Sequence, residues 1–313
     1  MRRPLVIIVG PTAVGKTETS INIAQQLNGE IISADSMQVY KYMDIGSAKP
    51  SLKERAGVPH YLMDEIDPRH DFSVMEFQQK AREYIEMISL KGKLPIIVGG
   101  TGLYVNSIIY NLDFTNTSSD WELRKRLEAE AKEFGNQFLH DKLKKIDVHL
   151  ANRIHPNNVK KVIRALEVYE ESGDTIKEFR ESFVENPLYN YLLIGLTRNR
   201  AELYDRINKR VDLLIEKGLI EEVKRLTSMG LDDKAISMKG LGYKEIIKYL
   251  KGEYELREAI DIIKRDTRRY AKRQLTWFNR YEKIKWFDFN NYRSNSSLEK
   301  DLINYIEGYF HFV

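Results

Sequence analysis

The sequence predicts an α/β fold: a parallel sheet flanked by helices, with an all-helical domain inserted into it. Three aliphatic runs, at residues 5–9, 94–98 and 191–196, are typical of strands buried on both faces of a parallel sheet. From about residue 112 to residue 183, helical periodicity continues without a strand candidate. These observations predict a core formed by residues 1–113 and 189–313, and a helical insertion formed by residues 114–188.

Composition limits the class of protein. The chain has 313 residues, 42% of them hydrophobic and 31% charged, as in an ordinary globular protein. It contains no cysteine, which excludes disulfides and thiolate metal sites. No apolar run approaches the roughly 20 residues that span a bilayer, and the first predicted strand leaves no room for a signal peptide. We therefore expect a cytoplasmic protein with no membrane partner.

The first strand runs directly into the pattern G-x-x-x-x-G-K-[ST], and a helical pattern follows it. The residues of this loop are Gly10, Pro11, Thr12, Ala13, Val14, Gly15, Lys16 and Thr17. Such a loop closes its backbone N–H groups around phosphate oxygens, while Lys16 supplies positive charge and the Thr17 hydroxyl is a ligand for Mg²⁺. The alternative is a chance glycine-rich turn. We expect a P-loop NTPase-like sheet that binds a di- or triphosphate.

Polar residues at the ends of two other strands are expected beside this loop. Asp35 ends a predicted strand and is followed by Ser36 and Gln38, whose side chains suit a nucleobase edge. Thr101 lies in the glycine-rich loop after residues 94–98. The carboxyl ends of parallel strands meet at the ligand-binding edge of the sheet, so these side chains should lie together. For Asp35 three roles stay open: a Mg²⁺-linked carboxylate, a general base, or the cap of the next turn.

Basic residues recur in the helical segments. Lys160, Lys161 and Arg164 fall within about one helical turn of the predicted insertion. Arg206 and Arg210 stand four apart and share a helix face, which would bind a diphosphate if it pointed at the P-loop. A solvated helix face is the usual alternative for such residues.

The basic charge is concentrated near the C terminus. Residues 264–285 hold nine lysines and arginines against two acidic residues, whereas residues 1–110 hold twelve of each sign. Residues 239–244 form a predicted flexible basic loop with an aromatic residue. Because the basic residues of the 264–280 helix form a stripe of one sign, we expect it to contact a nucleic-acid backbone.

Several motifs together carry a resemblance to a known family. They are Asp35-Ser-Met-Gln-Val-Tyr40, Asp44-Ile-Gly-Ser-Ala-Lys-Pro50, Val98-Gly-Gly-Thr-Gly-Leu-Tyr104, Arg153-Ile-His-Pro-Asn157, Arg164-Ala-Leu-Glu167 and Lys272-Arg-Gln-Leu-Thr-Trp277. In order and spacing the chain resembles the bacterial tRNA dimethylallyltransferases (tRNA isopentenyltransferases), from Val9 almost to the C terminus. Ser47 departs from the threonine common in that family. The C-terminal zinc finger of the eukaryotic members is absent, in keeping with the absence of cysteine.

The resemblance implies transfer of a dimethylallyl group from dimethylallyl diphosphate to N6 of the adenosine just 3′ of the anticodon, with Mg²⁺ as cofactor. Asp35 would accept the amine proton and Thr101 would help to place the substrates. Lys16 and Arg210 would stabilise the leaving diphosphate, although Arg206 stays open as an alternative to Arg210. The anticodon stem-loop would contact Asp35, Ser36, Met37, Gln38, Thr101, Arg124, Lys160, Lys161, Arg164, Lys239, Gly240, Leu241, Gly242, Tyr243, Lys244, Lys272, Arg273 and Gln274. We expect a monomer.

Three other functions remain open on the sequence. A P-loop kinase would use Asp35 to activate a hydroxyl, but it leaves the basic C-terminal stripe unexplained. A free-nucleotide isopentenyltransferase would share the chemistry without needing a surface for a stem-loop. An RNA-binding module without enzymatic activity would leave the P-loop without a purpose.

Overall fold

The computed structural model describes residues 2–112, 121–173 and 184–311. The chain divides into two compact units, Met1–Ile109 with Asn186–Val313, and Tyr110–Glu185. The second unit begins and ends a few residues before the predicted insertion, 114–188. Asn186 lies outside it because its backbone and side-chain N–H groups donate to carbonyl oxygens of the first unit, at 2.9 Å and 3.2 Å.

In the described part of the chain, the strands form one parallel sheet of six, in the order β3-β2-β4-β1-β5-β6. The strands are β1 (Arg3–Val9), β2 (Gly29–Ala34), β3 (His60–Tyr61), β4 (Leu94–Gly99), β5 (Tyr189–Thr197) and β6 (Lys285–Asp288). The predicted α/β fold is confirmed, and β5 rejoins the sheet beside β1 after the insertion.

Helices cover the sheet and make up the insertion. In chain order they are α1 (Lys16–Gln26), α2 (Val74–Leu90), α3 (Gly102–Ile109), α4 (Trp121–Phe134), α5 (Asn136–Ile146), α6 (Val148–Arg153), α7 (Val159–Ser172), α8 (Arg200–Glu216), α9 (Leu219–Ser228), α10 (Tyr243–Leu250), α11 (Leu256–Phe278) and α12 (Asn295–Phe310). Single 3₁₀ turns lie at Ser237–Lys239 and Phe289–Asn291. Among the described residues, none of the helices is both long enough and apolar enough to span a membrane.

The core of the first unit is built on the strands themselves. Every residue of β2 and β4 is buried, as expected for strands covered on both faces. Side chains of β1, such as Val6 and Ile8, pack with Ile23 of α1, Ile207 of α8 and Leu302 of α12. The carboxyl ends of the central strands are thereby fixed relative to the helices that follow them.

The second unit has its own core, formed by helices α4 to α7. Leu127, Leu139 and Val162 are buried in one cluster that includes residues of all four helices. Glu167 is fully buried in this unit, and Arg124 donates to both of its carboxylate oxygens, at 2.8 Å and 2.9 Å. The sequence also predicts that Asp120 caps the helix beginning at Trp121, but Asp120 lies outside the described residues.

The contact between β2 and β4 predicts an effect on stability. A methyl group at Gly99 would lie 2.2 Å from the Ala34 carbonyl oxygen, a backbone atom that moves only if the strand moves. Gly99→Ala should therefore lower the free energy of unfolding by about 3 kcal/mol in urea denaturation. Gly308→Ala, in open space on α12, is the control and should raise it by about 0.5 kcal/mol. Equal stability of the two variants would contradict this account.

Candidate active site

The P-loop lies between β1 and α1, and cationic side chains hold its carbonyl oxygens. Lys16 Nζ donates to the carbonyl oxygens of Gly10 and Pro11, at 3.0 Å and 2.8 Å. Arg198 Nε donates to Val14 O at 2.8 Å, and Arg206 Nε donates to Ala13 O at 2.9 Å. Gly10 must be glycine, because its φ is +153° and a Cβ would lie 2.5 Å from Leu196 O.

The loops after β2 and β4 meet beside the P-loop. Asp35 directly follows β2, and its Oδ1 accepts a hydrogen bond from Met37 N at 2.9 Å, so the residue also caps its own turn. The Thr101 hydroxyl accepts from Ser36 N at 3.3 Å, and Thr101 N donates to Ala34 O at 3.2 Å. The two loops are therefore joined directly, and Asp35 and Thr101 lie at the same edge.

Gln274 of α11 connects these two loops with the P-loop. Its Oε1 accepts from Thr12 N at 2.9 Å, and its Nε2 donates to Gly100 O at 3.0 Å. Its side chain is 6% exposed, so both backbone partners are satisfied away from bulk water. Gln274, predicted from the sequence to contact tRNA, holds the loops of the site together in this structure.

Two adjacent cavities meet at Asp35. The donor cavity, as we name it, has a volume of about 440 Å³ and is lined by residues that include Lys16, Thr17 and Arg206. The acceptor cavity, about 330 Å³, is lined by residues that include Ser36 and Lys239. Four residues line both cavities: Thr12, Asp35, Arg210 and Tyr270. A group bound at the P-loop would therefore lie next to a group bound in the acceptor cavity.

A larger cavity, of about 1060 Å³, lies beyond Thr17 and beside residues 41–56. Its charged groups are largely paired with one another: Lys49 donates to Asp44 at 2.9 Å and also contacts Asp64, and Arg55 donates to Asp64. Size alone does not make this cavity the site, because the P-loop and Asp35 line the two smaller cavities.

Burial sets the electrostatics of the donor cavity. Removal from water lowers the pKa of Lys16 to about 7, with Asp35 raising it and Arg210 lowering it. Burial also lowers the pKa of Arg210, and the nearby Asp35 carboxylate opposes that shift. Burial raises the pKa of Tyr270 to about 12, with a further contribution from Asp35. The cavity thus holds cationic groups at an energetic cost that a polyanion would relieve.

The P-loop residues also fit a magnesium ion. Thr17 is exposed at the second position of α1, and it lines the donor cavity together with Glu18. No group of three or more histidine and acidic side chains that would hold a metal occurs among the described residues. Mg²⁺ usually takes one or two protein ligands and completes its shell with substrate phosphates and water, which suits this donor set.

The predicted basic stripe on α11 is interrupted by acidic and amide partners. Lys264 Nζ lies 2.6 Å from Asp212 of α8, and Arg268 donates to Asn208 at 2.6 Å. Asp266 pairs with both of its arginine neighbours on the same helix. The expectation that this stripe keeps one sign was wrong for its first half. Lys272 and Arg273, in its second half, are exposed.

Part of the predicted loop at residues 239–244 has regular secondary structure. Lys239 is exposed at the end of a 3₁₀ turn, and α10 begins at Tyr243. Tyr243 lines the acceptor cavity, but it is 0% exposed and its hydroxyl donates to Glu222 at 2.9 Å. Gly240, Leu241, Lys244 and Arg273 line the acceptor cavity. Gly242 N is buried and donates to Glu245.

In the second unit, the predicted tRNA contacts differ in their surroundings. Lys160 and Lys161 are exposed in the first turn of α7. Arg124 and Arg164 both pair with the buried Glu167, so their guanidinium groups are held in place within the unit. The motif around Arg164 therefore helps to stabilise this unit through its ion pair with Glu167, a role that the sequence did not reveal.

Two residues of the site were missed from the sequence. The helical periodicity of residues 256–280 predicts that Tyr270 faces the core, yet it lines both cavities one helical turn before Gln274. Arg198 directly follows β5 and stacks its guanidinium over the Phe289 ring, 3.7 Å from the centroid. Its position at the carboxyl end of a parallel strand was the available signal.

A parallel α/β sheet whose first strand runs into a phosphate-binding loop defines a P-loop protein, and this chain is one. A family model described as IPP transferase matches residues 38–281. A protein named tRNA dimethylallyltransferase from Alkaliphilus oremlandii is 60% identical over 310 residues, 99% of each chain. The chain therefore belongs to the IPP transferase family, as its motifs predicted.

Two solved structures extend the comparison. The full-length tRNA isopentenylpyrophosphate transferase of Bacillus halodurans is 48% identical, with a TM-score of 0.75, over 99% of this chain and 97% of that chain. A eukaryotic dimethylallyltransferase acting on tRNA is 29% identical, with a TM-score of 0.81, over 97% of this chain and 80% of that chain. The similarity to the bacterial structure extends over nearly the whole length of both chains.

The lowered pKa of Lys16 predicts proton uptake on anion binding. At pH 8 a lysine with a pKa of about 7 is mostly neutral, and a bound diphosphate favours its charged form. Titration calorimetry with inorganic diphosphate, in two buffers of different ionisation enthalpy, should show uptake of up to about one proton more than Lys16→Arg does. Equal uptake by both proteins would contradict the shift.

The same group contributes to stability with a defined sign. Between pH 7 and pH 10.5 the unfolded chain binds more protons at this lysine than the folded chain does. Its contribution to the free energy of unfolding therefore rises as the pH rises through that window, and this contribution should be absent in Lys16→Met.

Proposed function

We propose that this protein transfers a dimethylallyl group from dimethylallyl diphosphate to N6 of the adenosine 3′ to the tRNA anticodon, and releases diphosphate. The observation that carries the proposal is the meeting of the donor and acceptor cavities at Asp35. The names of the relatives, which are tRNA dimethylallyltransferases, support the same substrates.

The proposed reaction is a substitution at C1 of the dimethylallyl group. The N6–C1 bond forms, the bond from C1 to the diphosphate oxygen breaks, and the N6 proton passes to a carboxylate oxygen of Asp35. Thr101, bonded to the adjoining Ser36 backbone, would help to place the amine. An exocyclic adenine amine is a weak nucleophile, so a carboxylate beside it at the moment of bond formation lowers the barrier.

The donor cavity would stabilise the negative charge that grows on the leaving diphosphate. Lys16 and Arg210 both lie close enough to Asp35 to interact with its charge, and the P-loop N–H groups add a further positive potential. Arg206 is bonded to the P-loop backbone, which favours Arg210 as the arginine that contacts the diphosphate. Mg²⁺, held by Thr17 and the diphosphate oxygens, would neutralise part of that charge.

We infer that the adenosine leaves its stack to enter the acceptor cavity, whose volume of about 330 Å³ suits a single nucleobase rather than a stack of bases. Ser36 and Met37 line this cavity and would contact the adenine. Gln38 has less freedom than the sequence implied: its Oε1 accepts from Ser33 Oγ at 3.0 Å, and its Nε2 donates to Ser47 O at 3.4 Å. We therefore assign recognition of the base to Ser36 and Met37 rather than to Gln38.

Two other kinds of enzyme could use the same P-loop, but they would differ in the substrates that they consume and bind. A kinase would consume ATP and would bind an acceptor hydroxyl in the cavity on the far side of Asp35. A free-nucleotide isopentenyltransferase would not need exposed cations such as Lys239 and Arg273, which line the acceptor cavity, or Lys272, which precedes Arg273 in the chain. Charge at that position favours an acceptor with a phosphate backbone.

Asp35→Asn tests the assignment of the general base. Incubated with Mg²⁺, unmodified tRNA and labelled dimethylallyl diphosphate, the wild-type protein should label tRNA, and the variant should do so about a hundredfold or more slowly. Asp71→Asn, at an exposed site outside both cavities, is the matched control and should keep full activity.

Parallel reactions with ATP and AMP separate the alternatives. Label in AMP would make the protein a free-nucleotide enzyme. ATP consumption without label transfer would make it a kinase. Full activity of Asp35→Asn would remove Asp35 from the role of base while leaving the transfer reaction established.

A further inference from the structure

A buried carboxylate that none of the proposed steps uses lies behind the acceptor cavity. Glu222 of α9 is 4% exposed. Its Oε2 accepts hydrogen bonds from Asp44 N at 2.9 Å and Ile45 N at 2.8 Å. Its Oε1 accepts from Gly46 N at 3.0 Å and from the Tyr243 hydroxyl at 2.9 Å. One side chain therefore satisfies three consecutive backbone N–H groups and a buried phenol.

Three consecutive N–H groups directed at one point form a site for an anion, and Glu222 supplies that anion from within the chain. If the carboxylate were removed, these donors would remain in the interior without acceptors, at a cost of about 1–3 kcal/mol for each unsatisfied group. The segment that Glu222 holds, residues 44–47, is therefore held in its observed shape by a side chain some 178 positions away.

Tyr243 reinforces the same arrangement by direct packing. A Cβ on Gly46 would lie 2.5–2.6 Å from the Tyr243 ring and hydroxyl, so the ring lies flush against the backbone of the segment. Hydrogen bonding to Ser47 N also influences the Tyr243 hydroxyl, whose pKa is raised well above its usual value, chiefly by burial. Glu222 and Tyr243 thus form one anchor for residues 44–47.

The anchored segment forms part of the acceptor cavity. Gly46 and Ser47 line that cavity, across from Lys239 and Arg273 on other elements. Ser47 O also accepts the hydrogen bond from Gln38, which stands three residues after Asp35 in the same turn region. Displacement of the segment would change the shape of the acceptor cavity and release one side of the Gln38 amide.

Apart from Gln38, which lines the donor cavity and is bonded to Ser47 O, the donor cavity has a separate set of supports. Arg198, Arg206 and Gln274 hold its loop through hydrogen bonds to the backbone of Val14, Ala13 and Thr12. Neither Gly46 nor Ser47 lines the donor cavity. A change at Glu222 should therefore affect the two substrates unequally.

We propose that Glu222 is a positioning residue for the acceptor: through residues 44–47 it sets the wall against which the nucleobase lies, and it does not touch either substrate. This inference rests on the proposed transfer reaction. It assigns a role in RNA substrate recognition to a buried acidic side chain, although a negative charge repels the RNA backbone.

The test uses Glu222→Gln, with Glu221→Gln as the matched control. Glu221 is the adjacent exposed residue and carries the same charge. Kinetic constants are measured separately for an anticodon stem-loop RNA and for dimethylallyl diphosphate. For Glu222→Gln we expect kcat/KM for the RNA to fall by about tenfold or more, while kcat/KM for dimethylallyl diphosphate changes by less than about twofold. Glu221→Gln should match the wild-type protein.

Tyr243→Phe keeps the ring and removes only its hydroxyl, so it provides a second test if Glu222→Gln does not fold. It should shift the RNA constants in the same direction by a smaller factor, with thermal melting confirming a folded protein. An equal fall in kcat/KM for both substrates, or unchanged RNA constants in both variants, would overturn the proposal. Transfer of the dimethylallyl group by the wild-type protein and by Glu221→Gln tests the proposed function, and its result does not depend on the role of Glu222.

Discussion

The common register of β1, β2 and β4 is the constraint on which the site depends. Val9 and Ala34 both lie opposite Gly99, so these strands end at one edge of the sheet. The three loops that follow deliver the P-loop, Asp35 and Thr101 to the same place. A slip of one residue would turn the side chains of the slipped strand to the opposite face and displace the loop after it. The lack of space for a Cβ at Gly99 shows how closely the strands approach there.

A phosphate-binding loop must direct its N–H groups towards the ligand, and its carbonyl oxygens then need other partners. Lys16, Arg198 and Arg206 supply those partners, and Gln274 adds a connection from α11. These side chains come from widely separated parts of the chain. The conformation of the P-loop therefore depends on tertiary contacts, although its sequence motif is short. Burial at this loop lowers the pKa of Lys16, and a bound diphosphate would favour the charged form of its side chain.

The sequence predicted what depends on local pattern: buried strands, the P-loop, the acid at the end of β2 and the return of β5 to the sheet. It did not predict the roles of Gln274 and Tyr243. Gln274 accepts a hydrogen bond from Thr12 N, which lies 262 positions earlier in the chain. The buried Tyr243 donates a hydrogen bond to Glu222, a carboxylate on another helix. The composition of residues 239–244, which are rich in glycine and lysine, predicts a loop exposed to solvent. The burial of Gln274 and Tyr243 depends on partners that no window of sequence contains.

The basic stripe on α11 shows the same limit for charge. Counting signs along one helix cannot include Asp212, which α8 places against Lys264. Once the paired cations are set aside, Lys239 and Arg273 remain at the acceptor cavity, with Lys272 adjacent in the chain. In the proposed function, attraction of the phosphate backbone and recognition of the base would share one edge of the core unit. An acceptor drawn by its phosphates would present an unstacked base to the cavity beside Asp35, which is why this geometry favours a stem-loop over a free nucleotide.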